Sequence, residues 1–166
     1  MKNPKKPLIF IVDDDNAFAT LAKNEMQNMN YTNLKVFNSG EECLKNMNLK
    51  PDIVLLDYAL NNSMNGLEVL KKINSMTTRT TVIMLTAYDK LEIAIDSIKA
   101  GAYDYVIKSE TAFERIANLI RKIIRQNELR LANEQLEFGK KLVIIILLLV
   151  LIGTSLIYYF FPDIFN

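Results

Sequence analysis

Five short apolar runs, each nearly unbroken, recur along the first 125 residues, at 8–12, 34–37, 53–56, 81–85 and 103–107. A strand with one wet face alternates apolar and polar side chains, whereas a run that is apolar throughout must be covered on both sides. Between the runs the spacing turns helical. It does so at Phe18, Leu21, Ala22, Glu25 and Met26, again at Leu67, Leu70, Lys71 and Ile73, and again at Leu91, Ile95 and Ile98, with Gly101 as a C-terminal stop. Buried strands alternating with helices select an α/β fold of the doubly wound kind, a parallel sheet with helices on both faces. Residues 1–125 are therefore expected to form one domain.

In an open sheet of this kind, functional groups collect at the carboxyl ends of the strands, beside the switch in strand order. The first run ends in Asp13, Asp14 and Asp15, the third in Asp57, the fourth in Thr86 and the fifth in Lys108. Adjacent carboxylates repel, and burial makes their ionised forms costlier still. One aspartate is explained as a helix N-cap; three leave a surplus that calls for a cation or donors. The chain has no histidine, which excludes histidine catalysis and histidine-ligated metal. A metal here is held by oxygen, which favours a hard cation such as magnesium. Each residue alone has a plainer role: Asp57 as a loop cap, Thr86 as a turn residue, Lys108 as a solvated lysine, Tyr105 as a half-exposed strand residue. Only their joint placement points to a site for a divalent cation and a phosphoryl group.

The segments "LIFIVDDD", "PDIVLLDYAL", "TVIMLTAYD" and "IKAGAYDYVIK", in that order, resemble the receiver domain of bacterial two-component response regulators over roughly residues 6 to 125. The resemblance implies a flavodoxin-like sheet of order 2-1-3-4-5. It implies that Asp57 is the phosphoacceptor and that the protein is not an enzyme beyond assisting its own phosphorylation and dephosphorylation. Asp14 would bind Mg2+ directly and Asp13 through water, with the Asp57 carboxylate and the Ala59 backbone carbonyl as further ligands and Asp15 left to cap the first helix. Thr86 and Lys108 would meet the phosphoryl oxygens, small Ala87 would leave their approach open, and Tyr105 would be the aromatic switch. The expected kinase partner is a sensor histidine kinase. Three departures stand out. Ser109 follows Lys108 where the family usually has a proline, commonly after a cis bond, and a non-proline cis bond costs about 2.5–4 kcal/mol. Asn61 stands where a proline is usual, and Gly66 lies one residue further from Asp57 than is common. Two other readings share these residues: a phosphatase of the haloacid-dehalogenase type, with Asp13 and Asp15 as its D-x-D pair, and a degenerate receiver acting as a phosphorylation-independent scaffold.

Beyond the fifth run the helical pattern continues, with an apolar stripe at Ile116, Leu119, Ile120, Ile123 and Ile124. Residues 126–141 read as a helical connector. A loose seam at Ala117, Ile120, Ile124, Asn127, Leu131, Glu134 and Phe138 leaves a coiled-coil homodimer and a solvated connector both open. Residues 142–161 carry no charge across twenty positions, roughly 30 Å of helix, the thickness of a bilayer core. Lys140 and Lys141 precede this run, and only Asp163 and the terminal carboxylate follow it, so a single-pass anchor is expected in the bacterial inner membrane. The positive-inside rule puts the receiver on the cytoplasmic side, with an aromatic belt at 158–161 and a short outer tail at 162–166. Gly153, Thr154 and Ser155 offer small side chains for helix contact in the bilayer. The single cysteine, Cys43, excludes an intrachain disulfide, and the apolar run after "MKNPKKP" is too short for a signal-peptide core. A net charge of +1 gives no basic field, and no helix-turn-helix is read, so nucleic acid is not an expected partner. Output is expected through contacts with an unidentified downstream protein.

Overall fold

A five-stranded parallel sheet organises the chain, in the order β2-β1-β3-β4-β5. In this computed structural model residues 6–61, 63–76 and 79–160 are described, the last seven by backbone alone. The elements run β1 (Ile9–Val12), α1 (Asn16–Asn28), β2 (Leu34–Phe37), α2 (Gly40–Lys45), a 3-10 turn (Met47–Leu49), β3 (Ile53–Asp57), α3 (Gly66–Ser75), β4 (Thr81–Thr86), α4 (Leu91–Lys99), β5 (Asp104–Ile107) and α5 (Ala112–Phe160). The sheet order and flavodoxin-like class are those expected from the sequence.

Every residue of β1 and β3 is buried, and successive side chains serve opposite layers. Phe10, Val12, Val54, Leu56, Val82 and Met84 face Cys43 of α2 and Val69, Leu70 and Ile73 of α3. Ile9, Ile11, Ile53, Leu55, Ile83, Leu85 and Val106 face Ala22 and Met26 of α1 and Ala112, Ile116, Ile120 and Ile123 of α5. Register follows from this alternation, since a slip of one residue would turn every apolar side chain to the wrong layer. It also aligns the strand ends, pairing Val12 with Leu56, Asp57 with Leu85, and Thr86 with Ile107.

On two helices the residues that marked the helical spacing are not all buried. On α1 the buried residues are Ala19, Ala22 and Met26, while Leu21 is exposed. On α4 the residues whose spacing marked the helix, Leu91, Ile95 and Ile98, are all exposed, Leu91 at 72 %, and the buried side chain is Ser97. The hydroxyl of Ser97 donates to the carbonyl of Ile93, which satisfies it within its own helix. Gly101 follows the α4 cap at φ 96°, the left-handed geometry expected of it.

The described residues fall into two units, one through Ile124 and one from Arg125. The first thirteen residues of α5 belong to the former. Among the described residues no helix is long and apolar enough to cross a membrane. The expected span 142–161 falls on α5 up to Phe160, with side chains described through Gly153. The expected small residues Thr154 and Ser155 and the aromatic belt up to residue 160 fall within residues 154–160, described by their helical backbone alone, and residue 161 and the tail at 162–166 lie outside the described residues.

Gly66 opens α3 where the chain passes closest to the end of β3. A Cβ there would lie 2.0 Å from the Asp57 carbonyl oxygen and 2.8 Å from the Tyr58 Cα, and both are backbone atoms that cannot swing aside. Gly66→Ala is expected to destabilise the first unit by about 2 kcal/mol, measured by urea unfolding. Gly139→Ala, where a Cβ meets nothing within 4 Å, should leave that transition unchanged.

Candidate functional site

The carboxyl ends of β1, β3, β4 and β5 bring together five of the residues singled out from the sequence. The side chains of Asp13 and Asp57 are almost wholly buried, and Thr86 is fully buried. Asp14 is half-buried beside them, and one carboxylate oxygen from each of Asp13, Asp14 and Asp57 lies within 4.8 Å of the others. Lys108 reaches in from the end of β5. Its Nζ stands 2.7 Å from Asp13 Oδ2 and 3.1 Å from Asp57 Oδ1. Those two oxygens have no hydrogen-bond partner apart from this ammonium. Two buried carboxylates sharing a single ammonium, with a third carboxylate alongside, suit a small divalent cation that prefers oxygen and keeps part of its water shell.

Burial is the largest influence on Asp13 and pushes its carboxyl above the usual range. The Lys108 ammonium opposes that shift, and the neighbouring Asp57 charge adds to it. Asp15 is exposed and caps α1, accepting from the main-chain N–H groups of Ala17 at 2.9 Å and Phe18 at 3.3 Å. Its own N–H donates to Asp13 Oδ1 at 3.1 Å. The three consecutive aspartates are therefore in three different environments.

Several side chains around the site were not marked by strand-end position. The Lys108 ammonium lies over the Phe18 ring, 4.4 Å from its centroid, and Phe18 stacks on Phe113 at 5.6 Å. No cis peptide bond occurs among the described residues, so Lys108 and Ser109 are joined in trans. The N–H of Tyr88 donates to Thr86 Oγ1 at 3.0 Å, and the Tyr105 hydroxyl donates to the Tyr88 carbonyl. Burial pushes the half-buried Tyr105 phenol up, with help from the Asp89 charge and against hydrogen bonds from Lys90 and Thr86. The loop after β3 approaches the site through Asn61, whose side-chain amide donates to Asp14 Oδ2 at 2.8 Å and whose main-chain N–H donates at 3.3 Å. The sequence signal for Asn61 was its standing in a usual proline position. Phe18 and Tyr88 gave none, since their roles depend on loop and helix geometry.

Residues 9–130 match the response regulator receiver domain family. The chemotaxis protein CheY of Listeria monocytogenes is 32% identical over 115 residues, covering 69% of this chain and 95% of that protein. The transcriptional regulatory protein ZraR of Escherichia coli O157:H7 is 34% identical over 101 residues, which are 60% of this chain and only 22% of the regulator. A CheY-like receiver domain protein from Methanospirillum hungatei, known from a crystal structure, superposes with a TM-score of 0.64 at 27% identity, covering 72% of this chain and 95% of the other. The chain belongs to the response regulator receiver domain family.

A carboxyl with a raised folded pKa gives stability that is present in full below its unfolded value, about 3.9, and lost as pH rises through the folded value. Asp13→Asn keeps an oxygen for Lys108 while removing the buried charge. In chelator at neutral pH it should raise Tm by a few degrees. The advantage over the parent should vanish on acidification, as followed by thermal melts across pH.

Proposed function

We propose, taking the chain as a receiver, that it accepts a phosphoryl group on Asp57 from a sensor histidine kinase and signals through protein contacts. The observation that carries this is the Lys108 ammonium set between the buried Asp13 and Asp57 carboxylates, with Asp14 and Thr86 at the adjoining strand ends. Asp57 Oδ attacks phosphorus; an oxygen–phosphorus bond forms as the donor's bond to phosphorus breaks. Lys108 lies within reach of the same carboxylate, so it can follow the negative charge onto the transferred group, and the Thr86 hydroxyl stands ready to donate to a phosphoryl oxygen. Asp13, Asp14, Asp57 and the Ala59 carbonyl would hold Mg2+, which when bound would neutralise charge on the phosphoryl oxygens. The protein works as a signalling domain rather than as an enzyme on other substrates.

The readout fits the same geometry. Tyr88 donates to Thr86 and accepts from Tyr105, so a shift of Thr86 toward a phosphoryl group would break its bond to Tyr88 and loosen the residue whose carbonyl holds the Tyr105 hydroxyl. Tyr105 is thereby the switch residue, and the α4–β5–α5 face is where a downstream protein would respond.

The receiver is anchored in the bacterial inner membrane by residues 142–161, with the domain on the cytoplasmic side. The uncharged run, the preceding Lys140 and Lys141, and the exposure of every described side chain from Leu142 to Ile152 support this. Anchoring beside a membrane kinase raises the local concentration of the pair.

Two measurements test these points. With Mg2+ and a small phosphodonor, the full chain in detergent should gain one phosphoryl group by intact mass, and Asp57→Asn should gain none. A gain that survives the substitution would overturn the phosphoacceptor assignment, and no gain in the parent would favour a phosphorylation-independent scaffold. In cell fractionation the full chain should stay in the membrane pellet through carbonate extraction, whereas a chain ending at residue 141 should not; recovery of the full chain in the soluble fraction would remove the anchor.

A further inference from the structure

Of the three clustered carboxylates, the Lys108 ammonium pairs with Asp13 and Asp57. Asp14 is left half-exposed beside two like charges, and repulsion favours its swinging away into solvent. Asn61 opposes that swing. Its side-chain amide and its own main-chain N–H both donate to one oxygen, Asp14 Oδ2, at 2.8 and 3.3 Å. Two donors from one residue hold that oxygen against the loop and restrain the carboxylate beside Asp13 and Asp57.

The loop carrying Asn61 is itself tied down. Tyr58 accepts from the Gly66 N–H at 3.0 Å at the far end of the loop. The Ser63 hydroxyl donates to Glu41 of α2, and this hydrogen bond holds the Glu41 carboxyl below its usual range. A proline at position 61 would have neither donor. The longer loop with Asn61 therefore brings to Asp14 two N–H groups that the more usual residue lacks.

We propose that Asn61 is a positioning residue for the divalent cation: it keeps the Asp14 carboxylate beside those of Asp13 and Asp57, without touching the ion itself. This rests on the reading of Asp13, Asp14 and Asp57 as the cation site. Groups that hydrogen-bond a metal ligand set its orientation, and losing one typically weakens metal affinity by 10–100-fold.

The test is Mg2+ titration of the full chain in detergent, without phosphodonor, by calorimetry. Asn61→Ala removes the 2.8 Å donor and keeps the main-chain one, and it should weaken Mg2+ binding about tenfold. Ser63→Ala loosens the same loop without touching Asp14, and it should stay within about twofold of the parent, since the Asn61 hydrogen bonds remain. Unchanged or tighter binding in Asn61→Ala would overturn the proposal. So would equal losses in the two variants, which would mean that loop order alone matters. If the parent itself fails to bind Mg2+ while its thermal melt shows a folded domain, the cation site falls and the role of Asn61 falls with it.

Discussion

The ammonium of Lys108, held between the carboxylates of Asp13 and Asp57, is the interaction on which the site depends. Two nearly inaccessible carboxylates at neighbouring strand ends could not both stay ionised without a cation between them. Lysine supplies that cation from the opposite edge of the site, and its compact charge meets an oxygen of each partner. The arrangement is balanced rather than saturated. Burial still raises the Asp13 carboxyl despite the lysine, and Asp14 sits alongside with its charge held by amide donors instead. A site in that condition has affinity left for a further cation, and any anion placed there must be matched by one.

The fold delivers this geometry through register. Because β1, β3 and β4 are buried on both faces, alternation of side chains locks each strand against its neighbours, and their ends fall at one level. Lys108 comes from β5, whose main chain is tied to the site when the Lys108 N–H donates to the Thr86 carbonyl at 2.7 Å. The Phe18 ring beneath the ammonium, itself stacked on Phe113, restricts where the side chain can point. Gly66 admits the return of the chain against the Asp57 backbone, which sets where the loop bearing Asn61 must run.

Strand positions were legible because they follow from burial on both faces, and such burial leaves a continuous apolar run in the sequence. The five strand-end residues were legible for the same reason, each lying next to such a run. Helix faces were harder. Six-residue α2 buries only Gly40 and Cys43, too little to mark a period, and the apolar spacing of α4 describes a face that the domain does not cover. Asn61, Phe18 and Tyr88 act across the fold, on Asp14, Lys108 and Tyr105 respectively, so their partners are far away in sequence. The twenty uncharged residues near the C-terminus are legible as composition, and the helical backbone of α5 runs through them to Phe160.

The exposed face of α4 has a mechanical consequence. A helix resists displacement mainly through the apolar surface it buries, and α4 buries Ser97 rather than Leu91, Ile95 or Ile98. Its start carries no side-chain cap, since Lys90 makes no capping hydrogen bond. Immediately before it, Tyr88 ties Thr86 to Tyr105 through a single residue's N–H and carbonyl. This lightly buried helix is thus joined by four residues, 87–90, to the hydroxyl at the end of β4. Energy gained at Thr86 has little packing to overcome in moving α4, whereas β1 and β3, bearing the aspartates, are held by burial on both faces. The charged groups are therefore held on strands buried on both faces, while α4 beside them is held by much less buried surface.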